Sequence, residues 1–587
     1  MSQENTIEII QKCCMDVFGD FLSEEGTFEF KGEDDWTSRE YLWFADLYYS
    51  SNESLRIKAA NELIQRPNLL EPKCPFTFFY SAFLIYKHKS KMTPETYAVL
   101  RNYIADDADY STEKVWDFVA VNDNMPAMHM TALYLASKIL DRPDLMAVSK
   151  RRLEFLHRML TYTGNSSEFN SPTYTPLMLL SLSVLAEFAD PEDDDIRTLA
   201  LKCEDIMWRL VFDLFHKDFH VVPGPYSRAY LVDSTAGMHQ YGFVLYQVLG
   251  DRLKYNPVNT LFAGNYDNGV NVIHRHLQFM QISCFTFSTM PYHCDPQIIE
   301  DALNCQYPKV VRSRAEISAS AETYMDYSDP LTIFEFPAGV SELYTYIEDE
   351  YALGTCTKPF HNGAQTNAFH LLFKGDIQPG TMFSVMVQDG VKISRKQHVV
   401  NNWGEYGRSF ASQDKNTAVV LYHAKPVFRD TVKALSVKLF IHRGEKFVED
   451  VKLINNHVYL KLPQIYVAIA PACPHLKGVH LQYENEFFVI EIENEMEKEA
   501  PFTQRELMLH LNGFVIEVRK QSEYNNFSDF ISDFAEFDIY DNRYENMHTR
   551  YANHREFSYK RGNRMFECDY SIVSEGIRYN RWININD

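Results

Sequence analysis

Hydrophobic residues in the first 300 positions recur mainly at spacings of three and four, which is the period of an amphipathic α-helix. The spacing predicts helices at 39–49, 76–86, 94–104, 127–140, 145–161, 174–188, 196–215 and 238–249. Short turns that carry Pro and Asp, such as 141–144 and 190–193, separate successive helices, so neighbours must pair antiparallel. We detect no fixed-period repeat, which favours a toroid of helical hairpins over a helical solenoid.

After about residue 305 the hydrophobic period changes to two, which is typical of β-strands. Strands are predicted at 310–319, 341–347, 368–373, 382–387, 418–422, 434–441, 458–462, 465–470, 480–483, 487–492 and 508–518. Helices followed by strands indicate an α+β multidomain protein, and 587 residues exceed what one core can hold. We predict an (α/α) toroid over 1–303 and an antiparallel β-sandwich over 304–587. The residues from Ser522 onward form either outer strands or a surface wrap.

The charge and composition of the chain indicate which classes of binding partner it favours. The net charge of −23 and the pI near 5.3 argue against nucleic acid, which needs clustered Lys and Arg. Aromatic residues make up 14% of the chain, which suits stacking on sugar rings, although large β-sandwich cores also contain many aromatics. Motifs for nucleotide binding and for the α/β-hydrolase nucleophile are missing, and we predict no cofactor and no metal.

The predicted location is cytoplasmic. The first residues, MSQENTIEII, lack the basic, apolar and small-residue regions of a secretory signal. No window approaches the roughly 18 uncharged apolar residues of a membrane span, so no membrane contact is predicted. The ten cysteines form no CxxC pair, as expected for reduced thiols. An acidic, aromatic-rich surface of this size often pairs with copies of itself, which leaves a homo-oligomer open.

Four polar segments interrupt the predicted helices and strands. They are VNDNMPAMH at 121–129, EFNSPTY at 168–174, PGPYSRAYLVDSTAGMHQY at 223–241 and NNWGEYGR at 401–408. Loops and helix starts on one rim of a toroid converge on a central cleft, so these segments can meet there. The first segment contributes Asn124 and His129. In the last segment Trp403 would stack on a sugar, unless it is a buried sandwich residue.

The EFNSPTY segment is the most informative of the four. Ser171 before Pro172 is typical of a helix N-cap followed by Pro at the first helical position. Glu168 and Asn170 would then precede the helix and Tyr174 would lie in its first turn. Such a helix start offers amide N–H groups and a positive dipole end to an anion, although a well-capped helix with nothing bound fits as well.

The third segment adds a guanidinium, a phenol and a second helix start. Arg228 can bind a carboxylate through two parallel hydrogen bonds, and Tyr226 lies two positions before it. An Arg in a loop is also a common salt-bridge partner. The segment leads into a helix that carries His239 and Tyr241. His129 and His239 each lie beside apolar neighbours, where a lone His is often a satisfied core residue.

A helical toroid followed by an antiparallel β-sandwich resembles the toroid-plus-sandwich polysaccharide lyases, the group of heparinase II/III-like, alginate and chondroitin or hyaluronate lyases. The segment NSPTYTPLMLLSLSVLA is similar to the small-residue and Tyr helix start of that group. HQYGF at 239–243 is similar to its His/Tyr helix. The architectural resemblance covers nearly the whole chain.

The resemblance implies β-elimination on oligosaccharides or polysaccharides that contain uronic acid. Loss of the C5 proton requires the adjacent carboxylate to be neutralised or strongly hydrogen-bonded. Carried over to this sequence, Asn170 and Arg228 would neutralise the carboxylate and Tyr174 would be the acid or base. His239 or His129 would be the partner base.

Two alternatives use the same segments. A glycoside hydrolase needs two carboxyl groups, one of them protonated, and Glu168, Asp233 and Asp123 are the candidates. A non-catalytic glycan-binding protein is the second alternative. We favour the lyase over the hydrolase. We favour an enzyme over a binding protein because polar segments at three helix starts exceed what a scaffold requires.

Overall fold

The described part of the chain covers both predicted regions. The computed structural model describes residues 3–31, 36–120, 122–229, 240–263, 277–317, 320–321, 335–336, 339–359, 368–375, 378–388, 407–424, 432, 434–484, 487–495, 506, 510–545, 553–572 and 577–585. These residues fall into two compact units. The helical unit comprises Met1–Val222 and Ala236–Asn304, and the sheet unit comprises Pro223–Thr235 and Cys305–Asp587. The chain therefore enters the sheet unit at Pro223, well before its strands begin.

The helical unit confirms the predicted helices as a class. In chain order the described helices are α1 Gln3–Phe18, α2 Ser38–Ser50, α3 Ser54–Ile64, α4 Pro75–His88, α5 Pro94–Ser111, α6 Asn124–Leu140, α7 Pro143–Thr163, α8 Tyr174–Phe188, α9 Asp194–Leu214, α10 Gln240–Leu249, α11 Leu277–Ser288 and α12 Pro296–Leu303. Local sequence explains their starts. In α5, for example, Pro94 occupies the first turn and the side chain of Thr93 accepts a hydrogen bond from the Thr96 amide.

Burial alternates along the series from α2 to α9. Helices α2, α4, α6 and α8 are buried on most sides, whereas α3, α5, α7 and α9 bury one face. Helix α11 packs against α1, α2 and α10, so late helices contact early ones. This arrangement is compatible with inner and outer helices of a toroid, which stays a prediction. None of the described helices combines the length and apolar character needed to cross a membrane.

The sheet unit is antiparallel in every described strand pair. Its strands are β1 Lys309–Ile317, β2 Ser320–Ala321, β3 Glu335–Phe336, β4 Gly339–Ile347, β5 Tyr351–Cys356, β6 Phe369–Phe373, β7 Gly380–Gln388, β8 Gly407–Asp414, β9 Thr417–Ala424, β10 Leu435–His442, β11 Asp450–Ile454, β12 His457–Leu462, β13 Ile465–Pro471, β14 Leu476–Glu484, β15 Phe487–Asn494, β16 Leu511–Lys520, β17 Asp538–Glu545, β18 Asn553–Arg561, β19 Arg564–Ser571 and β20 Ile577–Asn584. Two short helices accompany them, α13 Gly444–Phe447 and α14 Phe527–Phe534.

Three of the sheets stack as layers. The order is β1-β4-β5-β6-β7-β10-β15-β14 in an eight-stranded sheet, β11-β12-β13-β16-β9-β8 in a six-stranded sheet and β17-β18-β19-β20 in a four-stranded sheet. The first two face each other, since the Ser384 and Tyr422 hydroxyls lie 3.0 Å apart and Phe369 packs edge-on against Phe514. Strands in the middle layer are covered on both faces, which explains their continuous apolar runs.

The C-terminal residues form an outer sheet, which decides between the two alternatives left open by the sequence. Phe557 and Phe566 of this four-stranded sheet share one hydrophobic cluster with Val419 and Val515 of the six-stranded sheet. Helix α14 packs against another part of the same middle sheet. Outer strands, with one helix beside them, therefore describe this region.

The segment 223–229 lies against the eight-stranded sheet within the sheet unit. The hydroxyl of Thr345 donates to the carbonyl oxygen of Gly224 at 3.0 Å. The Tyr226 ring meets the His370 ring edge-on, with centroids 4.8 Å apart. A Cβ on Gly354 would come within 2.0 Å of the Gly224 oxygen, so glycine at this position permits the close approach of the two backbones.

Candidate active site

Two acidic side chains join the start of α6 to the segment before α8. The backbone amide and side-chain amide of Asn124 both donate to Glu168, at 2.7 to 2.8 Å. The amide and hydroxyl of Ser167 both donate to one oxygen of Asp123, each at 2.7 Å. All four residues are fully buried. Glu168 thus binds the N-terminus of α6, where a carboxylate is favoured by the helix dipole.

Asn170 and Tyr241 form a buried pair between the same segment and α10. The Tyr241 hydroxyl donates to Oδ1 of Asn170 at 3.1 Å, and the Tyr241 amide donates to the Pro172 carbonyl oxygen at 3.2 Å. Asn170 has a left-handed backbone, with φ of 50°, which Asn tolerates better than most residues. Burial raises the pKa of Tyr241 well above its ordinary value, so its phenol keeps its proton.

Ser171 makes the hydrogen bonds predicted of a cap just before α8. Its hydroxyl accepts a hydrogen bond from the Tyr174 amide at 3.1 Å, and its carbonyl oxygen accepts one from the Thr175 amide at 3.1 Å. Regular helix begins at Tyr174, where the hydrophobic spacing predicts it, so the N-cap position is Thr173 and Pro172 precedes the first helical turn.

Tyr174 lines a pocket in the helical unit that the sequence does not reveal. The pocket combines several aromatic walls with a few polar groups, and its lining residues are Arg39, Trp43, Phe76, Tyr80, Thr173, Tyr174, Leu177, Gln240, Phe279 and Phe287. Its empty volume is about 350 Å³, including space open to solvent.

Arg39 carries the positive charge of the pocket. Its guanidinium carbon lies 5.2 Å from the ring centre of Trp43, 4.9 Å from that of Phe76 and 5.4 Å from that of Phe279. Its Nε and Nη2 donate to one oxygen of Glu40, at 2.8 and 2.6 Å. Burial alone would lower the pKa of Arg39, but the Glu40 carboxylate raises it above its ordinary value. Arg39 therefore stays charged among the aromatic rings.

Four further polar atoms of the pocket lining are buried without a hydrogen-bond partner among the described residues. They are Oε1 of Gln240, Oγ1 of Thr173, Nε1 of Trp43 and the hydroxyl of Tyr80. Gln240 is 4% exposed and its amide nitrogen donates to the Ser283 hydroxyl at 3.2 Å, so its carbonyl end is the unpaired one. An unpaired buried polar atom costs roughly 1–3 kcal/mol, which a hydrogen-bonding ligand would offset.

His129 is buried in an aromatic environment on α6. Its ring lies 4.4 Å from Trp116 and 6.0 Å from Phe78, centre to centre, and neither nitrogen has a hydrogen-bond partner among the described residues. Burial and then the charge of Arg152 lower its pKa to about 3. His129 is therefore buried and neutral, and its ring contacts among the described residues are with Trp116 and Phe78.

The remaining predicted residues divide into two groups. Tyr226 and Arg228 are buried in the sheet unit, and Arg228 has a left-handed backbone with φ of 44°. His239, Asp233 and Trp403 lie outside the described residues. Within the described part of the chain no group of His, Cys, Asp or Glu side chains has the arrangement of a metal site.

Arg39 and Gln240 are site residues that the sequence analysis missed. Arg39 stands four positions before Trp43 on an aromatic-rich helix, SREYLWFADLYYS, which is the one available signal. Gln240 lies between His239 and Tyr241, inside a motif already considered. An amide side chain is not typical of any one kind of functional site, so the sequence does not indicate a role for Gln240.

Residues 122–272, about a quarter of the chain, match a family model described as Domain of unknown function (DUF8769). This range contains the segments 168–174 and 223–241. No curated protein sequence matches the chain.

Two solved structures show weak similarity. One is endoglucanase CelQ from Clostridium thermocellum complexed with cellotriose, at 10% identity, covering 84% of this chain and 94% of that chain with a TM-score of 0.20. The other is a GH127 beta-L-arabinofuranosidase from Geobacillus stearothermophilus T6, at 9% identity, covering 87% and 93% with a TM-score of 0.25. Scores this low establish no shared fold, so the helical and sheet units rest on the structure of this chain alone.

Proposed function

We propose that this protein cleaves uronate-containing oligosaccharides or polysaccharides by β-elimination, with the pocket beside Tyr174 as its active site. The observation that carries the proposal is the position of Tyr174. Tyr174 begins a helix and lines a pocket with aromatic walls. It belongs to the same segment, 168–174, as Asn170, which forms a buried hydrogen bond with Tyr241. Aromatic walls suit the apolar faces of sugar rings, and a phenol can transfer a proton.

Elimination requires a proton to be taken from the sugar and one to be returned. A base removes the C5 proton, the C5–H electron pair becomes the C4–C5 double bond, and the bond from C4 to the leaving oxygen breaks. An acid then protonates that oxygen, so the enzyme is unchanged overall. Tyr174 is the residue proposed for proton transfer. Arg39 lines the same pocket as Tyr174 and interacts with it electrostatically.

Asn170 is proposed to act on the substrate carboxylate. Tyr241 donates to its Oδ1, so the Nδ2 end of the amide carries the donors. Amide donors directed at the carboxylate stabilise the negative charge that develops as the C5 proton leaves. In this proposal Tyr241 positions the Asn170 amide and does not itself transfer a proton.

The described carboxylates favour elimination over hydrolysis. An inverting hydrolase needs two carboxyl groups roughly 6.5–9.5 Å apart with a water molecule between substrate and base. Glu168 and Asp123 are fully buried and accept hydrogen bonds from Asn124 and Ser167, which is compatible with a structural role. Asp233, the third candidate, lies outside the described residues.

Digestion of uronate oligosaccharides tests the proposal. Elimination forms a 4,5-unsaturated uronate that absorbs in the ultraviolet, whereas hydrolysis forms reducing ends without a new chromophore. We expect absorbance to rise in step with reducing ends. Reducing ends without absorbance would show that the enzyme is a hydrolase, and the β-elimination proposal would be wrong.

The Tyr174→Phe variant tests the assigned residue. It removes the hydroxyl and keeps the ring, so turnover should fall by about 10² or more if Tyr174 transfers the proton. Tyr162→Phe is the matched control, because Tyr162 is 91% exposed on α7 and its hydroxyl should not matter. Turnover of Tyr174→Phe within a few-fold of the control would exclude Tyr174 from proton transfer.

A further inference from the structure

We propose that the pocket binds a single sugar-acid ring, with Arg39 binding the carboxylate and Gln240 and Thr173 binding ring hydroxyls. The inference rests on the proposed function for the choice of sugar acids as the ligand class. It adds three substrate-binding residues and transfers the guanidinium role from Arg228, in the sheet unit, to Arg39, in the helical unit.

The first argument is the unused donor capacity of Arg39. A guanidinium has five N–H donors, and the described hydrogen bonds of Arg39 leave from Nε and Nη2 toward one Glu40 oxygen. Nη1 has no described protein acceptor. The Glu40 carboxylate also accepts hydrogen bonds from the amide and hydroxyl of Thr37, so it lies at the start of α2. Both N–H donors on Nη1 thus remain for an acceptor in the pocket.

The second argument is the presence of unpaired polar atoms in the same pocket lining as those donors. Oε1 of Gln240 can only accept a hydrogen bond, so its partner must be an N–H or O–H group. Oγ1 of Thr173, 8% exposed, can donate or accept. A ligand with acceptors alone, such as inorganic phosphate at high pH, would leave Gln240 unpaired. The Arg39 donors and the Gln240 acceptor therefore favour a molecule that carries both an anionic group and hydroxyls.

The third argument is the shape and surface of the pocket. Trp43, Phe76 and Phe287 contribute apolar walls to the pocket. A hydroxylated six-membered ring has apolar C–H faces and polar edges, which matches aromatic walls with polar groups between them. A carboxylate on such a ring would satisfy Arg39 through parallel hydrogen bonds. These requirements together describe a uronic acid.

Matched pairs of monosaccharides test the inference by calorimetry on the full chain. The acids are glucuronate, galacturonate and mannuronate, and their neutral counterparts are glucose, galactose and mannose, which lack the carboxylate. We expect at least one acid to bind about tenfold or more tightly than its counterpart, and Arg39→Gln to remove that preference. Arg209→Gln on α9, where the exposed Arg209 pairs with Asp205, should keep it.

A second variant guards against misfolding of Arg39→Gln. Gln240→Glu places a negative charge beside the proposed carboxylate site, so it should weaken binding of the acid and leave the neutral sugar less affected. Circular dichroism checks that each variant is folded. If every acid binds within a few-fold of its counterpart, or the preference survives in folded Arg39→Gln, the inference is wrong.

The two proposals fail in different ways. Arg39-dependent binding of an acid without any ultraviolet product would support the pocket and contradict the elimination chemistry. An ultraviolet product whose formation is unchanged in Arg39→Gln would support elimination and contradict the role of Arg39.

Discussion

At the scale of single residues, burial decides which titratable side chains of the helical unit are charged. His129 is 1% exposed with its pKa lowered to about 3, and burial holds the Tyr241 phenol in its protonated form. Arg39 keeps its charge because Glu40 lies beside it. His129 and Tyr241 do not line the pocket, whereas Arg39 does and brings its charge beside the uncharged side chains of Thr173 and Gln240, a combination suited to an anionic ligand.

The His129 ring predicts a pH dependence of stability. In the unfolded chain it binds a proton below about pH 6.5, whereas in the folded chain it stays neutral down to about pH 3. The unfolded state thus binds more protons between these values, and the free energy of unfolding falls as the pH drops from 6.5, by roughly 1 kcal/mol per pH unit from this group. His129→Phe should lose less stability than wild type between pH 7 and 5 in urea unfolding.

His157→Phe is the control for this comparison, because His157 is partly exposed on α7. It should keep the pH dependence of the wild-type chain. An unchanged slope in His129→Phe would mean that His129 is protonated, or accessible to water, in the folded protein.

Local residue roles were predictable, and roles built from distant residues were not. The Ser171 cap depends on positions within four residues, so its sequence pattern is sufficient to predict it. Arg39 gains its role from Phe76 and Phe279, which belong to other helices. No spacing in the sequence brings those rings together, because only the packing of α2, α4 and α11 does so.

At the scale of elements, one arginine connects two sheets of the sheet unit. Arg555 on β18 is fully buried and donates to the carbonyl oxygens of Tyr422, Asn512 and Ala472. It also donates to Asp541 at 2.8 Å. The outer four-stranded sheet is thus held to the middle sheet by hydrogen bonds as well as by apolar packing.

Replacement of Arg555 should destabilise the protein strongly. Arg555→Met leaves the buried Asp541 carboxylate without its partner, which typically costs about 3–5 kcal/mol. Arg555→Lys should recover a minor part, because an ammonium group cannot reproduce the planar set of donors. Arg578→Met, on the same sheet but 70% exposed at its side chain, should cost less than about 1 kcal/mol. Equal losses in the two Met variants, measured by urea unfolding, would contradict this role of Arg555.

The hydrophobic pattern predicts some strands of the sheet unit better than others. Apolar strands such as β9 and β13 follow the predicted ranges closely. Strand β8, Gly407–Asp414, was missed because its letters, GRSFASQD, are mostly polar although the strand is largely buried. Gln413 is within 3.1 Å of Thr355 and Ser412 donates to Asn580 at 2.8 Å, so its polar side chains reach the sheets on either side. Hydrophobic patterning cannot predict a strand whose burial is compensated by hydrogen bonds.

At the scale of the whole molecule, the chain contributes to the sheet unit at two separate places. The segment 223–229 belongs to that unit although helical sequence precedes and follows it. The hydrophobic pattern predicts one boundary, between residues 303 and 304, and a single boundary does not assign segment 223–229 to the sheet unit. Periodicity locates elements along the chain but does not show which strands an irregular segment packs against.

Gly354→Ala tests how the segment is seated. The added methyl group would meet the backbone of Gly224 and Pro225, which cannot rotate away, so the segment must move. We expect a loss of about 1–3 kcal/mol in the free energy of unfolding, which is typical of overpacking. Gly339→Ala is the control, because its methyl group would lie 3.5 Å from the flexible side chain of Lys358. A loss no larger than the control would show that the two backbones are not in close contact.

The early position of segment 223–229 has a consequence during synthesis on the ribosome. Gly224 is translated 121 residues before Thr345, the strand residue that donates to it. At about 5–20 residues per second, the segment waits roughly 6–24 s for its partner strand to be made. The rate at which the residues between 229 and 345 are translated therefore determines how long segment 223–229 exists in the nascent chain before its partner strand has been made.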